Sequence, residues 1–225
     1  MGSVRTKARQ LAREAIDNGR PLAWFEDLYR QAGGDTKAIP WADLAPNPNL
    51  LAWLDRGAVA GNGARALKIG CGLGDDAEEL ARRGFQVTAF DISESAIAWA
   101  RRRFDASTVE YQVADLLRPP ESWQSAFDLV LESYTLQVLP PALRADAIER
   151  IASFVARSGR LLVIARARDR SDPEGEMPWP LTREELRGFE REGLTETSFE
   201  DYFDAEDVPV RRFRAVYTRN HAGPR

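Results

Sequence analysis

Apolar residues recur at helical spacing from the start of the chain. Val4, Ala8, Leu11, Ala12, Ala15 and Ile16 form one stripe, and Gly19 ends it. This predicts an amphipathic N-terminal helix with a basic outer face. Pro21 restarts the chain, and Trp24, Phe25, Leu28 and Tyr29 mark a second helix that breaks at Gly33 and Gly34. Prolines at 40, 46 and 48 forbid regular structure between Pro40 and Asn49, which reads as a loop. Asn49 is then expected to cap a helix bearing Leu50, Leu51 and Leu54. Beyond it the pattern changes to strands alternating with helices. Strands are expected at 66–69, 86–90, 109–113, 127–131 and 160–166, with helices at about 75–83 and 93–104. A third helix follows Pro140 and Pro141, the latter suited to a first helical turn. Ile97, Ala100 and Phe104 should face inward on the second of these helices, and Ile148, Ile151, Ala152 and Val155 on the third. Ser158 and Gly159 form the turn into the fifth strand. Thr182 and Glu185 spell a capping box ahead of Leu186 and Phe189. Two further strand-like runs, 196–203 and 210–218, should pair as an antiparallel hairpin at the sheet edge. Such alternation implies a largely parallel sheet with right-handed crossovers and helices on its faces.

A chain of 225 residues with 44% hydrophobic content can bury one sizeable core. The expected division is a helical lid over residues 1–56 and a main domain over 57–225. Net charge of −4 leaves no electrostatic footprint for nucleic acid. No apolar run approaches the ~20 residues of a membrane span, and the N-terminus lacks the apolar core of a signal peptide. Cys71 is the single cysteine, which excludes an intramolecular disulfide and argues for a reducing, cytoplasmic compartment. Its place between two glycines suits a small side chain at a crowded turn. No HxxH, HExxH, GxSxG or CxxC pattern occurs, which argues against metal hydrolysis and triad chemistry. The lone histidine, His221, lies in a polar tail better suited to fraying than to catalysis.

The informative stretch is ALKIGCGLGDDAEELARRGFQVTAFDIS. A strand runs into Gly70, Gly72 and Gly74, a helix follows, and a second strand closes on Asp91. This is a nucleotide-binding βαβ unit: glycines admit a ligand to bare backbone, and an acid one crossover later can accept hydrogen bonds from ribose hydroxyls. A dinucleotide fingerprint would put its third glycine at 75, yet Asp75 and Asp76 stand there, with Glu78 and Glu79 one turn on. Those acids compete with a pyrophosphate for the helix N-terminus. A cationic ligand without phosphates, such as S-adenosylmethionine, meets no such conflict.

GCGLG followed by VTAFDIS resembles the cofactor motifs of class I S-adenosylmethionine-dependent methyltransferases, and DLVLESYTLQVLP resembles their segment at the end of the fourth strand. The likeness covers about Leu67 to Ala167. WFEDLY, IPWADLAPNP and NLLAWL are similar to the lid of the thiopurine, thiol and halide methyltransferase branch. The resemblance implies a three-layer, Rossmann-like α/β fold, with an N-terminal helical lid and a C-terminal antiparallel hairpin. It implies that Gly70, Cys71, Gly72, Gly74, Asp91 and Ile92 hold the cofactor. Asp115 would take the adenine amino group, Leu116 would add its backbone NH, and Trp24 and Trp41 would cover the ligand. Lys68 departs from the pattern, standing where the family commonly has an acid two positions before the first glycine. How the loop is braced therefore stays open.

Glu132 follows an apolar strand, near where the methionyl ammonium would lie, and with Tyr134 it is also the nearest candidate base. Tyr29, Tyr134, Gln137 and Trp179 are candidate acceptor contacts, since aromatic faces hold planar substrates and stabilise a passing sulfonium. Trp53 and Trp99, within helices, read as packing residues. The expected activity is methyl transfer to the N, S or O atom of a small planar acceptor. An NAD(P)-dependent reductase and a catalytically silent nucleoside-binding domain remain as alternatives. The first is disfavoured by Asp75 and the lack of a Tyr-x-x-x-Lys pair, the second favoured by Lys68. The N-terminal helix, with its Ala-rich covered face, is expected to close when cofactor is present.

Overall fold

A computed structural model describes residues 3–220, so His221 lies outside the described residues. Seven strands form one sheet: β1 (Arg65–Ile69), β2 (Gln86–Asp91), β3 (Glu110–Val113), β4 (Phe127–Ser133), β5 (Val155–Arg166), β6 (Thr195–Phe203) and β7 (Arg211–Thr218). Their spatial order is β3-β2-β1-β4-β5-β7-β6. The first five run parallel. β7 inserts antiparallel between β5 and β6, completing the expected hairpin edge.

Alternation along each strand sends successive residues to opposite faces, which builds two cores. Leu67, Val130 and Leu161 pack under α6 (Pro141–Phe154) and the short helices α7 (Arg183–Leu186) and α8 (Gly188–Arg191). Ala66, Leu129 and Leu162 pack under α3 (Pro48–Arg56), α4 (Asp75–Arg82) and α5 (Glu94–Arg103). The Thr182–Glu185 capping box is formed, and Leu186 and Phe189 are fully buried.

A third core joins α1 (Val4–Asp17) and α2 (Ala23–Ala32) to α5 through Ala8, Ala12, Trp24, Leu28, Ala96 and Trp99. Val4 and Ile16, expected on the buried stripe, are exposed; Ala8, Ala12 and Ala15 are buried there, and Leu11 packs partly buried beside them. Asn47, not Asn49, caps α3. Its side chain accepts from Asn49 N and Pro48 occupies the first turn, where a missing NH costs nothing. No helix among the described residues is long and apolar enough to cross a membrane.

Candidate functional site

The carboxyl ends of β1, β2, β3 and β4 open into a cavity of about 1110 Å³, where the switch point of an open α/β sheet places its ligands. Gly70 and Gly72 line it with φ of +56° and +53°. A Cβ on Gly70 would stand 2.5 Å from Thr135 Oγ1, and one on Gly72 would stand 3.0 Å from Tyr29 Oη. Only glycine gives this turn both its left-handed backbone and its clearance.

Asp91 ties the loop to the second strand. Its Oδ2 accepts from Gly72 N at 3.0 Å and its Oδ1 from Ser93 N at 3.0 Å. Burial raises the Asp91 carboxyl, against the pull of those NH groups and of Lys68. Lys68 supplies the bracing that the departure from the family pattern left open, with reversed polarity. Its buried ammonium donates to Ile69 O at 2.8 Å and lies 3.9 Å from Asp76 Oδ2. A carboxylate at that position could only accept from backbone NH groups; the ammonium gathers carbonyls instead.

The first-turn acids of α4 are engaged within the protein. Arg103 forks onto Asp75 at 2.8 Å, and Asp76 accepts from Asn47 N at 2.8 Å and Ser133 Oγ at 2.9 Å. Glu78 accepts from Tyr111 Oη at 2.7 Å, and Glu79 pairs with Arg82 and Arg83. Asp75 and Glu79 are thus paired with arginines, whereas Asp76 accepts from a backbone NH and a serine hydroxyl and Glu78 from a tyrosine hydroxyl.

Tyr29, Trp41, Cys71, Ile92, Asp115, Leu116, Tyr134 and Gln137 all reach the cavity wall. Trp41 Nε1 donates to Tyr29 Oη at 2.8 Å above Gly72. Asp115 caps the turn after β3 by accepting from Leu117 N at 2.9 Å. Burial pushes the Cys71 thiol well up, which keeps it protonated. Gln137 takes a positioning role: Oε1 accepts from Arg166 N at 2.7 Å and its carbonyl from Trp179 N at 2.7 Å.

Four expected contacts stand off the wall. Trp24 is buried at 1% exposure in the third core, stacked on Phe25, which lines the cavity in its place. Gly74 faces Tyr111, and Trp179 packs on the helical cover beside Met177. Glu132 is fully buried, and its Oε1 accepts from Thr135 N at 2.8 Å and Leu136 N at 2.9 Å. Its Oε2 has no partner, and burial pushes the carboxyl up to about 7. It caps the turn beneath the floor instead of presenting a charge above it.

The opposite half of the cavity is basic, which the sequence reading missed. Arg212, on β7, lies 4.8 Å from the Tyr134 ring centroid and pairs with Asp204 and Glu206, each at 2.6 Å. Arg214 pairs with Glu200 at 2.7 Å and donates to Asn49 O at 2.9 Å. Asn49 donates to Tyr134 Oη at 3.0 Å and accepts from Tyr202 Oη at 2.7 Å. Burial raises the Tyr134 phenol, so it stays neutral. The available signal was arginine at alternate positions of an apolar strand, RRFRAV, where solvation is an inadequate explanation.

Residues 66–159 match the model of a methyltransferase domain family. Over 117 residues the chain is 33% identical to a ubiquinone biosynthesis O-methyltransferase of Aromatoleum aromaticum, an alignment covering 51% of this chain and 49% of that protein. The chain thus spans about half the length of this curated relative. A protein solved in work on the conversion of a disulfide bond into a thioacetal group during echinomycin biosynthesis superposes with a TM-score of 0.72. It shares 22% identity, over 90% of this chain and 94% of that one. The 1,6-didemethyltoxoflavin-N1-methyltransferase of Burkholderia thailandensis, crystallised with 1,6-didemethyltoxoflavin and S-adenosylhomocysteine, gives a TM-score of 0.62 at 16% identity, over 98% and 91% of the two chains. At these identities the structural likeness establishes the fold. The architecture is Rossmann-like with an antiparallel C-terminal edge. Within it, residues 66–159 are the part similar to a methyltransferase domain.

Proposed function

We propose that the protein is an S-adenosylmethionine-dependent methyltransferase acting on a small-molecule acceptor. The observation that carries this reading is the glycine turn tied to Asp91, opening on a cavity roomier than the ~300–1,000 Å³ of a single small-molecule site. Two ligands fit such a space side by side. The Gly70–Gly72 backbone and Asp91 would hold the ribose and methionyl portions, and Asp115 with Leu116 the adenine. Tyr29 and Trp41 would close over the donor, in keeping with the cover's likeness to the thiopurine, thiol and halide branch. When bound, the cofactor supplies a methyl group already activated as a sulfonium. The chain's own part is alignment and exclusion of water.

The acceptor meets the basic, tyrosine-rich half. Glu132 is fully buried off the cavity lining and Tyr134 stays protonated, so neither suits the role of base. An acceptor that brings its own lone pair, such as a thiolate, an amine or an acidic hydroxyl on a planar ring, fits this wall best. The planar acceptor is favoured by Phe25, Tyr134 and Tyr202 on the lining. The test is calorimetry with S-adenosylhomocysteine, followed by incubation with S-adenosylmethionine and a panel of heteroaromatic thiols, amines and phenols read by mass spectrometry. Saturable binding with one added methyl group on an acceptor is expected. Failure to bind S-adenosylhomocysteine at millimolar concentration would overturn the reading.

A further inference from the structure

Asp75, Asp76, Asp91 and Asp115 line the glycine-loop half beside Lys68, whereas five arginines, Arg5, Arg9, Arg166, Arg212 and Arg214, line the other half and outnumber its acids, Asp204, Glu206 and Asp207. Most of those arginines are neutralised in place. Arg9 pairs with Glu176 at 2.7 Å, and Arg212 and Arg214 pair with the acids of β6 and the loop that follows it. Arg166 is different. Its main chain is pinned, with N donating to Gln137 Oε1 at 2.7 Å and O accepting from Leu181 N at 2.8 Å. Its guanidinium is half-buried at the cavity end of β5 and, among the described residues, has no hydrogen-bond or ion-pair partner.

The groups facing that guanidinium are Arg212, Arg5, Glu206 and Tyr134. Two are cations, one is a neutral phenol, and the carboxylate of Glu206 is already taken by Arg212 Nη2 at 2.6 Å. Burial and the two neighbouring cations lower the Arg166 pKa, which reports a charge held where its surroundings oppose it. A half-desolvated cation beside two others is costly unless an anion joins it. Glu206, the carboxylate that acts on Arg166, is shared with Arg212 directly across the β5–β7 ladder, and among the described residues no carboxylate pairs with Arg166 itself. Arg5, on α1, overhangs the same space and also lacks a side-chain partner among the described residues.

We infer that the acceptor half of this cavity is a carboxylate subsite, in which Arg166, assisted by Arg5, binds an acidic group on the molecule to be methylated. The inference rests on the methyltransferase reading and deepens it: a cationic donor against the acidic half, an anionic acceptor against the basic half. A planar guanidinium meets a carboxylate with two parallel hydrogen bonds, which fixes orientation as well as affinity. Held from a rigid strand end, that grip would turn the acceptor's nucleophilic edge toward the glycine loop.

The experiment compares matched pairs of acid and amide, 3-hydroxybenzoate against its amide and thiosalicylate against its amide. Dissociation constants are measured by ligand-observed NMR on the full chain, with and without saturating S-adenosylhomocysteine. The acids are expected to bind about tenfold or more tightly than the amides, as for a hydrogen-bonded charge. Arg166→Gln should abolish that preference while S-adenosylhomocysteine affinity changes less than twofold, and Arg166→Lys should restore part of it. Should Arg166→Gln fail to fold, Arg5→Gln, on an exposed helix position, should still reduce the preference severalfold. Equal binding of acid and amide to the unaltered protein, or a preference that survives in Arg166→Gln, would overturn the subsite. Loss of S-adenosylhomocysteine binding alone would instead refute the methyltransferase reading, and the acid–amide comparison without cofactor would still judge the subsite.

Discussion

Glu132 offers the sharpest physical test. Its carboxyl is fully buried, one oxygen satisfied by two backbone NH groups and the other without a partner. Burial raises its pKa from 4.5 to about 7, partly offset by the NH groups of Leu136 and Thr135 and by Lys68. The folded protein therefore keeps a proton, between those two values, that the unfolded chain gives up. Stability falls as pH rises through that window and levels off above about 7. The raised pKa corresponds to about 3 kcal/mol of stability lost between about pH 4.5 and 7. Glu132→Gln keeps a carbonyl for the two NH groups and removes the titration. The amide's unpaired NH2 adds a cost of about 1–3 kcal/mol, but that cost is independent of pH. The measurement is urea unfolding of both proteins at about pH 5 and pH 8. The stability of the variant relative to the unaltered protein should be about 2–3 kcal/mol more favourable at pH 8 than at pH 5, a change of about 1 M in the difference between their midpoints. Parallel profiles for the two proteins would refute the argument that this carboxyl is desolvated.

Asp91→Asn should weaken S-adenosylhomocysteine binding at least about tenfold by calorimetry, with the far-UV spectrum unchanged, because an acceptor of charged quality is lost. Binding within twofold would remove Asp91 from the proposed ribose contact. Gly74→Ala should cost more than about 2 kcal/mol in urea unfolding, since φ is +97° and a Cβ would fall inside contact distance of the Tyr111 hydroxyl. Thr182→Ala should cost about 1 kcal/mol by losing the cap on Glu185 N at 3.2 Å.

The alternation of strands and helices, the hairpin edge and the capping box could all be read from the chain, because each follows from local periodicity or local hydrogen bonding. The glycine turn and Asp91 were legible for the same reason: a βαβ unit joins them across a short crossover. The basic half was not. Arg166 and Arg212 lie 46 positions apart and meet only through the β5–β7 ladder. That register depends on β7 inserting inside the hairpin, which no local pattern reports. Glu132 and Tyr134 share the end of one strand, yet Tyr134 takes a φ of +65° that sends the two side chains different ways. Trp24 was placed by element but not by face, and its helix turns Phe25 to the cavity instead. The α3 cap could have been found: Pro48 suits a first helical turn, which leaves Asn47 as the residue before it.

Ser93 joins two parts of the molecule that the sequence keeps far apart. Its NH donates to Asp91 Oδ1 at 3.0 Å, and its hydroxyl donates to Glu26 of α2 at 2.7 Å while accepting from Ala96 N at 3.0 Å. Glu26 also takes the NH and hydroxyl of Ser95, at 3.0 and 2.7 Å. Lifting α2 means breaking all three of Glu26's bonds at that corner, one of them on the same serine that steadies Asp91. The cover of the chamber and the acid at its base thus share a single serine.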